Sequence, residues 1–100
     1  MTVYVDPLGN FGWKLRGRAT TNCHMFTDTE DLSELHKVAA KIGMKLAWFQ
    51  NSKSAPHYDL TPNRRAAAIR AGAVEVDREK AVSIWQARRV LMVAIKENYL

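Results

Sequence analysis

His57-Tyr58-Asp59-Leu60-Thr61-Pro62-Asn63-Arg64-Arg65 takes the chain from an extended segment into a helix, and the other elements are read outward from it. Thr61 is a good N-cap and Pro62 a good first helical residue, because the N–H that proline lacks has no partner there. The helix predicted from Pro62 to Ala71 is rich in alanine and closes at Gly72. With residues 57 to 59 extended, His57 and Asp59 point to one side and Tyr58 to the other, free to pack or donate its hydroxyl. Arg64 and Arg65 stand in the first turn, where the helix dipole disfavours a cation by about 0.3–1 kcal/mol. An anion is expected against them, either a carboxylate of this chain or a phosphate.

Upstream, Thr2 to Asp6 alternates as a strand and ends in the turn residues Pro7, Gly9 and Asn10. Trp13, Leu15 and Gly17 interleave with Lys14, Arg16 and Arg18, which predicts a half-exposed strand with a wholly basic outer face. Cys23 to Phe26 predicts a third strand, with Cys23 and Met25 sharing one face. A helix is expected to begin in the acidic run Asp28–Asp31, present Leu32, Leu35, Ala39 and Ile42 as its apolar stripe, and stop at Gly43. His36 flanks that stripe and reads as a packing residue. Lys45 to Gln50 reads as a short strand, Asn51 to Pro56 as a loop, and Val74 with Val76 as a last strand. A helix from Asp77 to about Asn98 is expected to bury Ala81, Ile84, Trp85, Leu91 and Ile95, with Arg78, Lys80, Arg88, Arg89 and Lys96 facing elsewhere. The expectation is a small single α+β domain spanning residues 1–100, with about four short strands in one sheet packed against two or three helices.

With 100 residues and 47% hydrophobic content, the chain can build one core but no deep enclosed pocket. The net charge of +5 favours an anionic partner. Cys23 is the only cysteine, which rules out an internal disulfide and a Cys-rich structural zinc site and fits a reducing cytosol. The opening residues lack the features of a signal peptide, and no apolar stretch approaches the roughly 20 residues that span a bilayer. A cytoplasmic protein with no membrane partner is expected.

Val3-Tyr4-Val5-Asp6, His24-Met25 with Asp28-Thr29, Glu34-Leu35-His36, Ile42-Gly43, Trp48-Phe49-Gln50, His57-Tyr58-Asp59, Arg65 and Gly72-Ala73-Val74 follow one another in an order that resembles domain-of-unknown-function family 4031, small proteins of bacteria and their phages. The resemblance covers residues 2–79 as a core and leaves most of the C-terminal helix, residues 77–98, as a separate binding or dimerisation element. It implies a phage or prophage origin and places His24, Asp28, His57, Tyr58 and Asp59 in the family's pattern, with no activity to carry over. The chain departs from that pattern at Thr27, where alanine is usual, and at Asp6, which precedes Pro7 rather than a second acidic residue. The second departure argues against a metal role for Asp6.

No glycine-rich phosphate loop, Walker-type lysine, Ser-His-Asp order or zinc-finger spacing occurs. The leading expectation is a non-enzymatic phage accessory protein in the host cytosol that binds a nucleotide or nucleic acid. In that reading Arg64 and Arg65 supply charge, His24 and His57 hydrogen bonds, Tyr58 a stacking or hydroxyl contact, and Asp59 orientation, with no cofactor. Lys14, Arg16 and Arg18 are further nucleic-acid candidates. The alternative is a metal-dependent phosphoesterase or nuclease with a divalent ion on His24, Asp28, His57 and Asp59. A third reading is an inhibitor that masks a host protein, with His24 bonded to the Asp59 carboxylate for purely structural reasons. The C-terminal helix offers a surface for a homodimer.

Overall fold

The computed structural model describes residues 2–52 and 55–98. Strand β1 (Val3–Val5) pairs antiparallel with β4 (Cys23–Thr27), Val3 opposite Thr27 and Val5 opposite Met25. On the far edge of β4 lies antiparallel β5 (Tyr58–Leu60), and on the far edge of β1 lies parallel β6 (Val74–Glu75). The sheet is therefore mixed, in the order β5-β4-β1-β6. A separate hairpin, β2 (Lys14–Leu15) and β3 (Arg18–Ala19), projects between β1 and β4 in sequence.

Side-chain alternation divides the sheet into two faces. Val3, Val5, Cys23, Met25, Tyr58 and Leu60 point to one side and are buried under α1 (Ser33–Lys41) and α2 (Pro62–Arg70), chiefly by Leu35, Val38 and Ala68. Tyr4 and Phe26 point to the other, where Ala81, Ile84 and Trp85 of α3 (Arg78–Asn98) cover them. The α+β domain expected from the sequence is present, with helices on both faces of a four-stranded sheet.

Local chemistry accounts for the start of α2. Thr61 caps it, its hydroxyl accepting from the Arg64 N–H at 3.4 Å, and Pro62 takes the first position. Helix α1 begins later than its acidic run suggests. The Asp31 carboxylate accepts the Ser33 N–H at 2.9 Å, which holds its own protonation equilibrium below the usual carboxylate range, and Asp28 is drawn away by the Tyr4 hydroxyl at 3.1 Å. Gly43, at φ 81°, ends α1 in the left-handed conformation that glycine adopts without strain.

Three expectations are corrected. The basic strand is a hairpin whose two-residue turn, Arg16-Gly17, has positive φ at both positions, 52° and 79°. Leu15 faces Arg18 across it and Lys14 faces Ala19, so Lys14 and Arg18 lie on opposite sides rather than on one basic face. Residues Leu46–Trp48 form a 3₁₀ turn instead of a strand, closed by the Phe49 N–H on the Leu46 carbonyl at 3.0 Å. On α3, Arg88 is only 4% exposed while Leu91 is 42% exposed. Arg88 turns inward because its Nε donates to the Thr29 carbonyl at 2.9 Å. Of the Asn51–Pro56 loop, residues 53 and 54 lie outside the described part of the chain. Among the described residues no helix is long and apolar enough to cross a membrane.

Candidate functional site

Strand register builds the site. Extending the β1–β4 pairing one step past Val5 and Met25 sets Asp6 across from His24, and the β4–β5 pairing sets His24 across from Asp59. The three residues form a row across neighbouring strands on the face that carries Tyr4 and Phe26. His57, two residues before Asp59, joins the same face. A backbone bridge between Gln50 and His57, with N···O distances of 2.9 and 3.0 Å, fixes its position.

Each of these side chains is oriented by a neighbour. Buried Asp6 accepts from His24 twice, from the backbone N–H at 2.6 Å and from ring Nδ1 at 2.8 Å. His57 Nδ1 lies 2.7 Å from the Ala55 carbonyl oxygen, which can only accept, so that nitrogen carries a proton. The Gln50 side-chain amide donates to one oxygen of Asp59. Both imidazole Nε2 atoms turn to the other oxygen, Oδ1, at 3.8 Å from His24 and 3.5 Å from His57. One ligand atom each from His24, His57 and Asp59 fall within 4.8 Å of one another.

Two ring nitrogens facing one carboxylate call for a cation between them, since neutral Nε2 presents a lone pair. A proton can supply it: the hydrogen bond to Asp6 holds His24 above the ordinary histidine range, against the opposing effect of burial, with Asp59 adding to the rise. A metal ion can supply it as well. Phe11 and Trp85 stand edge-on to the His24 ring, at centroid distances of 5.2 and 5.9 Å.

The remaining candidates are dispersed. Asp28 stands four residues along an extended strand from His24, about 13 Å at the usual rise, and bonds Tyr4 instead. Tyr58 is buried on the opposite face with its hydroxyl 2.8 Å from His36 Nδ1, which removes it from the stacking role expected of it. Arg65 Nε donates to the Asp6 carbonyl at 2.9 Å and its guanidinium meets Glu75 at 3.1 Å, so the anion it attracts is a carboxylate of this chain. Arg64 lies over the Trp48 ring at 5.3 Å.

Asp59 also borders a cleft of about 340 Å³ whose other walls include Trp13, Trp48, Gln50 and Arg64. Through Leu15, Thr61 and Arg64 the cleft continues into a wider groove lined by Arg16, Arg18 and Asn63, with no carboxylate in its lining among the described residues. The hairpin turn brings Arg16 and Arg18 there, whereas Lys14 does not line either. Sequence reasoning missed Asp6 and Gln50 as orienting groups. Gln50 carries a signal, since it closes the Trp48-Phe49-Gln50 motif; the missing second acidic residue beside Asp6 bears only on a metal-ligand role, whereas Asp6 acts by orienting His24.

No curated protein and no solved structure matches the chain. A family profile does match, over residues 3–88, and so takes in the first half of α3, with buried Ala81, Ile84 and Arg88. The chain belongs to the family described as protein of unknown function, DUF4031.

Proposed function

We propose that His24, His57 and Asp59 bind one divalent transition metal and that the metal acts on a phosphate-bearing ligand by hydrolysing a phosphoester. The observation that carries this reading is the pair of Nε2 atoms turned to one Asp59 oxygen, with both Nδ1 atoms and the second carboxylate oxygen already held by Asp6, Ala55 and Gln50. Ligand histidines are ordinarily oriented in this way through their other ring nitrogen. Ligands about 2.1 Å from a tetrahedral ion stand about 3.4 Å apart; the two imidazole–carboxylate separations, 3.5 and 3.8 Å, are close to that, and all three ligand atoms lie within 4.8 Å of one another. Two imidazoles and a carboxylate suit zinc, manganese, iron or nickel, and three protein ligands leave a position for water.

Charge favours a metal-borne phosphate over one bound directly. Asp6 and Asp59 flank the histidines, and a bare phosphate there meets like charge. A divalent ion held by His24, His57 and Asp59 would reverse that sign and would supply Lewis acidity and a bound water of lowered pKa. Hydrolysis would join a water oxygen to phosphorus and break the ester P–O bond, the two water protons passing to the departing alcohol and to solvent. The Asp28 position expected to complete the metal set is replaced in this reading by the open position.

The test is metal titration by calorimetry on chelator-treated protein, followed by hydrolysis of bis(p-nitrophenyl) phosphate. One zinc or manganese ion per chain is expected, with binding abolished in His57→Ala and Asp59→Ala and hydrolysis restored to chelated protein by adding metal. Equal metal uptake by wild type and both variants, or hydrolysis that persists in chelator, overturns the reading.

A further inference from the structure

We infer that the substrate of this site is single-stranded nucleic acid, gripped with an unstacked base in the Trp13–Trp48 cleft and its neighbouring phosphates along the Arg16–Arg18–Arg64 groove. The inference rests on the metal-centre reading for the position of the scissile phosphate, though the grip itself needs no metal. Three observations converge on it. Trp13 and Trp48 are 37% and 43% exposed although tryptophan is normally well buried, and both line the cleft that Asp59 borders. Arg64 and Lys45 lie over the Trp48 ring at 5.3 and 5.5 Å, so cations already surround the aromatic surface. Among the described residues, the groove into which the cleft opens is lined by three arginines and no carboxylate, a track for successive phosphates rather than a pocket for one.

The hairpin explains how these groups meet. Pairing of Leu15 with Arg18, and of the Trp13 carbonyl with the Thr20 N–H at 3.0 Å, places Trp13, Leu15 and Arg18 on one side of the ribbon. A stacked base and a neutralised phosphate thus come from the same face. Aromatic stacking beside a basic groove is how sequence-tolerant single-strand binding is achieved, because every base offers a π-face. A duplex keeps its bases paired and cannot place one in a cleft of about 340 Å³.

The experiment is fluorescence anisotropy of a labelled twelve-residue oligothymidylate, its duplex with oligoadenylate, and a labelled mononucleotide, all in chelator, with wild type, Trp48→Ala, Trp13→Ala and the double variant Arg16→Gln/Arg18→Gln. The single strand is expected to bind at least tenfold more tightly than duplex or mononucleotide. Each tryptophan variant is expected to lose roughly tenfold in affinity, with thermal unfolding near that of wild type. The arginine double variant is expected to lower the slope of log affinity against log salt by about 1.4. Preference for duplex or mononucleotide, or tryptophan variants that bind as wild type does, overturns the inference. Single-strand binding in a protein that takes up no metal would sink the metal centre alone, and metal uptake with diester hydrolysis but no single-strand binding would sink this inference alone.

Discussion

Asp6 holds His24 at two points, by its backbone N–H and by ring Nδ1, and the same ring turns Nε2 toward Asp59. The hydrogen bond to Asp6 raises the His24 pKa, with burial opposing and Asp59 assisting. A histidine whose folded pKa is raised stabilises the fold fully below its unfolded value of about 6.5, and that contribution fades as pH climbs through the folded value. In metal-free protein, Asp6→Asn should therefore cost more stability at pH 5.5 than at pH 9. Urea unfolding at the two pH values checks this, and an equal loss at both would count against the pairing.

On the proposed metal-centre reading, the same pair also sets metal affinity. His24 must shed its Nε2 proton before it can bind an ion, so affinity should fall as pH drops through its raised pKa. Asp6→Asn keeps an acceptor for the backbone N–H but weakens the support behind the ring. We expect a metal affinity lower by about 10- to 100-fold, read by calorimetric titration at pH 7.5.

Tyr58 offers a contrast, because it neighbours two site residues yet serves the core. Its hydroxyl faces His36 Nδ1 at 2.8 Å, its ring contacts Phe49 at a centroid distance of 5.3 Å, and burial raises its pKa. Tyr58→Phe should lower stability by about 1 kcal/mol through the lost hydrogen bond and leave metal affinity unchanged. A variant with native stability and impaired metal binding would place Tyr58 in the site after all.

What could be read from sequence divides along the range of the interactions. Thr61-Pro62 and Gly43 announce helix ends because capping is satisfied within a few residues, and Cys23 with Met25 announce a buried face because alternation is local. Arg16-Gly17 escaped because arginine is not a usual residue at positive φ, and the flanking alternation of basic and apolar residues imitates a continuous strand. Leu46–Trp48 escaped since three apolar residues fit a strand and a 3₁₀ turn equally well. His24, His57 and Asp59 were named from residue type, but their convergence depends on β4 pairing with β5 across more than thirty residues. Asp6 and Arg88 depend on contacts 18 and 59 residues away in sequence, to His24 and to the Thr29 carbonyl, that no local pattern encodes.

Cys23 is a direct check on the sheet. Its thiol is buried beneath the helices, and burial, with Asp6 adding to the effect, pushes its pKa up to about 12. The thiolate needed for attack on a disulfide reagent is then negligible at neutral pH. Native protein should resist dithionitrobenzoate at pH 8 and react stoichiometrically in denaturing urea. Fast labelling of the folded protein would mean that β4 is open to solvent.

Arg64 and Arg65 are sequence neighbours in different surroundings, and on the proposed single-strand reading substituting each alone should separate folding from binding. Arg65 reaches back to the Asp6 carbonyl at 2.9 Å, tying α2 to the end of β1, and also meets Glu75 at 3.1 Å. Glu75 is largely exposed, so that ion pair contributes about 0–1 kcal/mol, while a hydrogen bond from a charged donor to a backbone carbonyl contributes about 1.5–3 kcal/mol. Arg65→Ala should shift the urea midpoint down accordingly and Glu75→Ala much less. Arg64→Ala removes a side chain that lies over exposed Trp48 and lines both the cleft and the basic groove. Its unfolding should stay within about 0.5 kcal/mol of wild type while oligothymidylate binding weakens. If Arg64→Ala unfolds the domain and Arg65→Ala spares it, the assignment of anchoring to one guanidinium and ligand contact to the other is reversed.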